Sequence, residues 1–218
     1  MCSSDLNGAG AFGASLNLST NEVHTEPYAD VLNTFGSFQT RKHTLKAGSG
    51  LLDDHFTVDV RLSTIKSDGY IERAFSDLRS YSISTAYLTK KSSLRLNIFS
   101  GKEKTYQAWY GVTEEDLHQN RRVNYAGTER PGSPYDNETD NYQQDHYQLF
   151  YNHQLGPSLT FQTALYYTAG KGYYEQYKAD QLFSRYQLTD VVTPVDTIRK
   201  TDLIRQLWLD NQLIGQTF

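Results

Sequence analysis

Along HFTVDVRLST, the side chains of Phe56, Val58, Val60 and Leu62 fall on one face of an extended chain. Thr57, Asp59, Arg61 and Ser63 fall on the other. A period of two is the strand period, and here it sets an apolar surface opposite a polar one. The pattern recurs three times. In YSISTAYL, Tyr81, Ile83, Thr85 and Tyr87 oppose Ser82, Ser84 and Ala86, and in SLRLNIF, Leu94, Leu96 and Ile98 oppose Arg95 and Asn97. In LTFQTALYY, Leu159, Phe161, Thr163, Leu165 and Tyr167 oppose Thr160, Gln162, Ala164 and Tyr166. Helical periodicity is hard to find, so the chain is expected to fold as all-β sheet with one face seeking apolar surroundings.

Weaker strands are expected over 29–38, 41–50, 142–154 and 199–208, and a ninth from Leu213. Short polar turns separate some of these strands, at Leu52-Asp53-Asp54, Thr89-Lys90-Lys91-Ser92, Gly156-Pro157-Ser158 and Asp210-Asn211-Gln212. Longer joins run from Lys66 to Asp77, Tyr110 to Asn141 and Lys171 to Ile198. Short and long alternate, apart from a short join near Gln39-Thr40. In an antiparallel meander this places short turns on one rim and long loops on the other. Soluble sheets have no reason to sort loops by length. Outer-membrane barrels do so, with short periplasmic turns and long extracellular loops. Leu78 to Leu88 is 11 residues, matching the roughly 9–11 of a tilted membrane-spanning strand. The expected fold is an antiparallel up-and-down meander, a partial transmembrane β-barrel of about nine strands with long extracellular loops.

Composition fits. Only 38% of the 218 residues are hydrophobic, as expected when one strand face meets lipid and the other a polar lumen. Tyr is abundant, with 17 residues against 2 Trp, and its apolar ring with a wet hydroxyl suits such a boundary. Tyr81 and Tyr87 share a face six residues apart, roughly 20 Å at about 3.3 Å per residue, which places them near the two borders of an apolar band. The net charge of -4 is well mixed and carries no basic stripe, which sets nucleic acid aside as a partner. Cys2 is the single cysteine, so there is neither an internal disulfide nor a thiolate metal cluster.

Four segments resemble a known family. GAGAFGASLNLST resembles the last segment of the plug domain of TonB-dependent outer-membrane receptors, where a run of small residues and a short strand precede the first barrel strand. TEPYADVLNTFGSFQTRKHTLKAGSGL resembles the first barrel hairpin, with Phe38 to Lys42 at its tip. LSTIKSDGYIER and YTAGKGYYEQYK resemble barrel segments of iron-complex receptors common in Bacteroidetes-type bacteria. MCSSDL (1–6) fits nothing that follows and is expected to be a non-native leader, while the resemblance implies the end of a plug (7–20) and the N-terminal part of a barrel (21–218). It also implies residence in the bacterial outer membrane, contact with lipid, and import of a ferric siderophore or similar iron complex. Energy would come from TonB through a segment upstream of Asn7. A cobalamin or glycan receptor on the same scaffold is the near alternative. A passive porin and a soluble carbohydrate-binding β-sandwich are more distant ones.

No catalytic, cofactor or metal site is expected. His146 and His153 are seven apart on one strand and so face opposite ways. DNETDN at 136–141 fails as an EF-hand, since Asn141 and Tyr147 stand where glycine and glutamate are needed. Gly170-Lys171-Gly172 lacks the spacing of a phosphate loop. The 32-residue loop from Tyr110 to Asn141 exceeds the ~12–15 residues at which a loop calls for a functional reason. It carries Arg121, Arg122, Tyr125 and Arg130 after Tyr106, Trp109 and Tyr110. Arginines beside aromatic rings suit anionic, ring-bearing ligands, so Trp109, Tyr110, Arg121, Arg122 and Tyr125 are the candidate ligand-binding residues. Within this loop Asn124 and Asp136 are expected to be open to solvent.

Overall fold

The computed structural model describes residues 23–217. The leader and plug-end assignments at 1–20 lie outside the described residues. Eight strands form one antiparallel sheet in chain order. They are β1 (Tyr28–Phe35), β2 (Arg41–Gly48), β3 (Phe56–Ser67), β4 (Ser76–Leu88), β5 (Ser92–Tyr106), β6 (Thr139–Gly156), β7 (Leu159–Leu182) and, last, β10 (Lys200–Thr217). A small separate hairpin, β8 (Val191–Val192) with β9 (Thr197–Ile198), lies in the final loop, and a short helix, α1 (Glu114–Gln119), lies in the third. The meander is therefore as expected, and its sheet is open between β1 and β10.

The strand count differs from expectation at one place. Asp210-Asn211-Gln212 makes no turn but runs through the middle of β10, paired in register with Lys171, Gly170 and Ala169. The turn-forming residues are overridden by the ladder. β7 is 24 residues long and offers partners along the whole of β10, and Lys171 lies 3.8 Å from Asp210. The segments expected at 199–208 and from Leu213 are thus one strand, Lys200–Thr217. Gly170 and Gly172 sit inside β7, and a Cβ at Gly170 would come within 2.1 Å of the Tyr142 hydroxyl. These glycines clear space for a tyrosine, as close packing in a strand requires.

Register carries the two-faced pattern across the whole sheet. Ala29, Ala47, Val60, Ile83, Ile98, Tyr147, Tyr167 and Ile214 pair strand to strand in one unbroken row. The next row on the same face joins Val58, Thr85, Leu96, Leu149 and Leu165. Displaced by one residue, the opposite face runs Asp30, Lys46, Arg61, Ser82, Phe99, His146 and Thr168. That face is polar and internally satisfied. Tyr28 donates to Asp59 at 2.9 Å, Ser84 to Asn97 at 2.8 Å, and Thr44 meets Ser63 at 3.0 Å. His146 stacks on Phe99 here, while His153 sits on the other face against Ser92, as the odd spacing demands.

The apolar face is bare. Leu62 is 47% exposed, Tyr87 51% and Leu165 46%, although each lies within the sheet. A continuous apolar surface spanning eight strands far exceeds what a protein leaves open to water.

All connections between sheet strands sort by rim. The joins 49–55, 89–91 and 157–158 lie at one end. The joins 36–40, 68–75, 107–138 and 183–199 lie at the other. The short join near Gln39-Thr40 belongs to the long-loop rim, where the Asp68 amide donates to the Phe38 carbonyl at 2.8 Å. On β7 the apolar alternation ends at Tyr167. The strand then continues to Leu182, roughly another 50 Å at about 3.3 Å per residue, raising the loops well clear of the band.

Candidate ligand-binding rim

The third loop, 107–138, is a folded cap. Its helix begins at Thr113, which forms a capping box with Asp116: the Asp116 amide donates to the Thr113 hydroxyl at 3.2 Å, and the Thr113 amide to the Asp116 carboxylate at 2.8 Å. This arrangement satisfies two otherwise orphaned donors. Tyr125 reaches back to donate to the same carboxylate at 2.6 Å. That bond, with those from Thr113, holds the Asp116 carboxyl below its ordinary range and raises the Tyr125 hydroxyl above its own.

Beyond the helix the loop returns over the outward extension of the sheet. Ala126 is fully buried and Tyr106 is 4% exposed, and the Tyr106 hydroxyl serves the carbonyls of Ala126 and Tyr135 at 3.1 and 2.5 Å. Gly127 is required at this point. It has φ +78°, and a Cβ there would lie 2.5 Å from the Tyr106 hydroxyl. Arg73, in the preceding loop, donates to the carbonyls of Asn124 and Ala126 at 2.5 and 3.0 Å, with its guanidinium 5.7 Å from the Tyr106 ring centre. Asn124 pins the cap in place. Its amide donates to Glu72 and Gln107 carbonyls at 2.9 and 3.0 Å, and its oxygen accepts from the Ala126 amide at 3.0 Å. It is 3% exposed, whereas Asp136 is exposed as expected. The surface position expected at Asn124 is therefore an internal one, because three backbone groups converge on its side chain.

The cap is fastened to β7 by Glu175, which accepts from Tyr135 at 2.6 Å, Asn137 at 2.5 Å and Gln206 at 2.6 Å. Burial, then the bond to Glu175, pushes the Tyr135 hydroxyl up to about 12. Burial also pushes the Glu138 carboxyl up. Lys178 pairs with Glu129 at 2.6 Å.

The five candidate residues occupy different parts of this cap. Trp109 is 61% exposed and meets Tyr174 edge-on at 6.1 Å, on the face of β7 that continues the polar lumen. Tyr110 and Arg121 are exposed. Arg122 is a staple: it donates to the Tyr70 carbonyl at 2.7 Å and lies 5.5 and 5.7 Å from the Phe38 and Tyr70 ring centres. It thereby ties three loops together. Tyr125 is bound to Asp116. Among the described residues, no hydrogen bond or ring contact links any two of the five. The residues that build the cap, Arg73, Asn124, Tyr106 and Glu175, were not signalled by any motif. The Thr113-x-x-Asp116 spacing was the one local cue to the helix.

A two-faced, rim-sorted meander of this kind defines the sheet of an up-and-down β-barrel. No family model and no curated protein matches the chain. Among solved structures it matches the ferric-catecholate import receptor Fiu from E. coli K12, in its closed form, with a TM-score of 0.58 and 15% identity. The match covers 87% of this chain and 27% of that one, so the chain spans about a quarter of the length of the receptor it resembles. The likeness is one of fold.

Proposed function

We propose that this chain is part of a TonB-dependent receptor of the bacterial outer membrane that captures an iron complex, of the ferric siderophore kind, for import. The observation that carries the reading is the bare apolar row across all eight strands, backed by a polar, hydrogen-bonded opposite face. Lipid is the partner such a face requires, and the inner strands β2 to β7 have ladder partners on both sides, as a membrane-spanning sheet needs. Residues 7–20 would end the plug, and 21–218 would form part of the barrel wall. The likeness to a receptor named for ferric-catecholate import supports the ligand class, as do exposed Trp109 and Arg121 on the loop rim.

In the complete receptor, Trp109 and Arg121 would meet the ligand first, Trp109 by flat apolar contact and Arg121 by charge-assisted hydrogen bonds. A hydrogen bond to a charged group contributes about 1.5–3 kcal/mol. Trp109→Ala and Arg121→Ala together are expected to weaken ferric siderophore binding at least tenfold, measured by equilibrium titration of the inserted receptor. Arg122 is left intact, because its loss would loosen the cap itself. Unchanged affinity across catecholate and hydroxamate complexes would remove this loop from capture.

A further inference from the structure

The polar face of the sheet changes character on its last strand. Thr168 of that face pairs with Leu213 of β10, Gly172 with Leu209, Tyr174 with Leu207 and Gln176 with Arg205. The three leucines are exposed, on the side where the earlier strands present Asp59, Arg61, Ser82 and Gln144 to a broad concavity. From Leu207 to Leu213 the strip runs about 20 Å at about 3.3 Å per residue. A strand added at the open edge of β10 would pair with its backbone and leave this face as it is. Aromatic rings flank the strip. Tyr142 leans toward it over Gly170 and Gly172, and Trp109 meets Tyr174 edge-on at 6.1 Å.

Arg205 closes the outer end of the strip, two residues beyond Leu207. One terminal nitrogen donates to the Gln176 side chain at 2.5 Å, and Gln176 donates in turn to Gln107 at 3.3 Å. The Arg205 Nε is buried without a hydrogen-bond partner, and Arg205 makes no ion pair among the described residues. A guanidinium supported only by a neutral amide, with a buried donor left over, calls for an acceptor. The carboxylates of this outer region are engaged or set apart. Glu129 pairs with Lys178, and Asp202 accepts from Tyr177 and from the Asp180 amide. Glu175 belongs to the opposite face. Asp140 and Glu103 share the face of Arg205, but they stand two and three strands away from β10.

We propose that the leucine strip takes the alkyl chain of an amphiphilic iron complex, and that Arg205 takes an anionic group at the head of that chain. The inference rests on the reading of the chain as part of an iron-complex receptor and narrows its ligand class to acylated, anionic complexes. Charge and apolarity are matched end to end. The cation lies at one end of the strip, and Leu207, Leu209 and Leu213 follow it along one line. A wholly polar ferric complex would leave those leucines facing water, whereas an alkyl chain laid along them removes apolar surface from water on both sides.

The test is an equilibrium titration of the complete receptor held in an amphipathic polymer. The probes are a ferric trihydroxamate bearing an octanoyl chain and a free carboxylate, its acetyl analogue, its methyl ester, and iron-free N-octanoylglycine. The octanoyl carboxylate complex is expected to bind at least tenfold more tightly than the acetyl analogue or the ester. Leu207→Gln with Leu209→Gln should bring the octanoyl complex down to the affinity of the acetyl one. Arg205→Gln should erase the difference between carboxylate and ester, and Arg205→Lys should preserve it. The comparison of ligands on the unsubstituted receptor needs no variant, so it decides even where a variant fails to fold. Equal affinity for octanoyl and acetyl complexes, or a chain preference kept by the glutamine pair, would overturn the proposal and leave the leucines as a seat for protein. Ferric complexes bound without regard to chain would overturn the strip and spare the iron reading. N-octanoylglycine bound through Leu207, Leu209 and Arg205, with no ferric complex bound, would overturn the iron reading and uphold a site for an amphiphilic anion. Binding of none of the four would overturn both.

Discussion

Val60→Arg is expected to destabilise the inserted full-length protein by about 2–4 kcal/mol, the cost of a cation facing lipid near the midplane of a barrel. The adjacent change Arg61→Ala is expected to cost less than about 1 kcal/mol, as for an ordinary surface substitution. Urea unfolding in lipid vesicles measures both. The contrast follows from register. Val60 lies between Ala47 and Ile83 in the apolar row, while Arg61 lies between Lys46 and Ser82 in the polar one. A neighbouring residue on one strand faces other surroundings, so adjacent positions differ sharply. In a water-soluble sandwich the apolar face would be covered by protein, and the truncation Val60→Ala would leave a cavity there at a cost that the same truncation facing fluid lipid avoids.

The second large effect concerns the cap. Asn124→Ala removes the donor to two backbone carbonyls and the acceptor of a third backbone group, at a site that is 3% exposed. A buried polar group left without a partner costs about 1–3 kcal/mol. Opening of the loop is therefore expected to become easier by about 2 kcal/mol or more, roughly a thirtyfold rise in amide exchange at Ala126 and Tyr135. Amides at Val60 and Ile83, in the strand ladder, are expected to keep their protection. Acceleration confined to the cap identifies Asn124 as the residue that fastens it, while uniform acceleration would mean that the cap and the barrel wall open together.

The wall was legible in the sequence and the cap was not, for a physical reason. A strand writes its two environments locally, residue by residue, so Phe56 to Ser63 discloses both faces without knowledge of any neighbour. Rim sorting is likewise readable from most loop lengths, the exception being the join 36–40, which is shorter than the join 49–55 on the opposite rim. The Asp210-Asn211-Gln212 turn failed because turn propensity is local and weak, while the ladder to Gly170 and Lys171 is long-range and cooperative. The cap depends on longer reaches still. Arg73 meets residues 51 and 53 positions away, and Tyr135 meets Glu175 across 40. No spacing rule joins such pairs. The same reach explains why Arg122, which looks free in a loop rich in polar residues, is spent on Tyr70 and Phe38, leaving Arg121 and Trp109 facing solvent.

The most direct measurement of the central claim is side-specific labelling in intact cells that produce the complete receptor with its own cysteines replaced by serine. Single cysteines at Lys90, Ser158 and Asp136 all occupy exposed positions, so reactivity reports the side of the membrane and not burial. A membrane-impermeant maleimide should modify Asp136→Cys on the long-loop rim and leave Lys90→Cys and Ser158→Cys unmodified until the outer membrane is broken. Equal labelling of all three in intact cells, or labelling of the short turns alone, would contradict a barrel wall that presents its long loops to the outside.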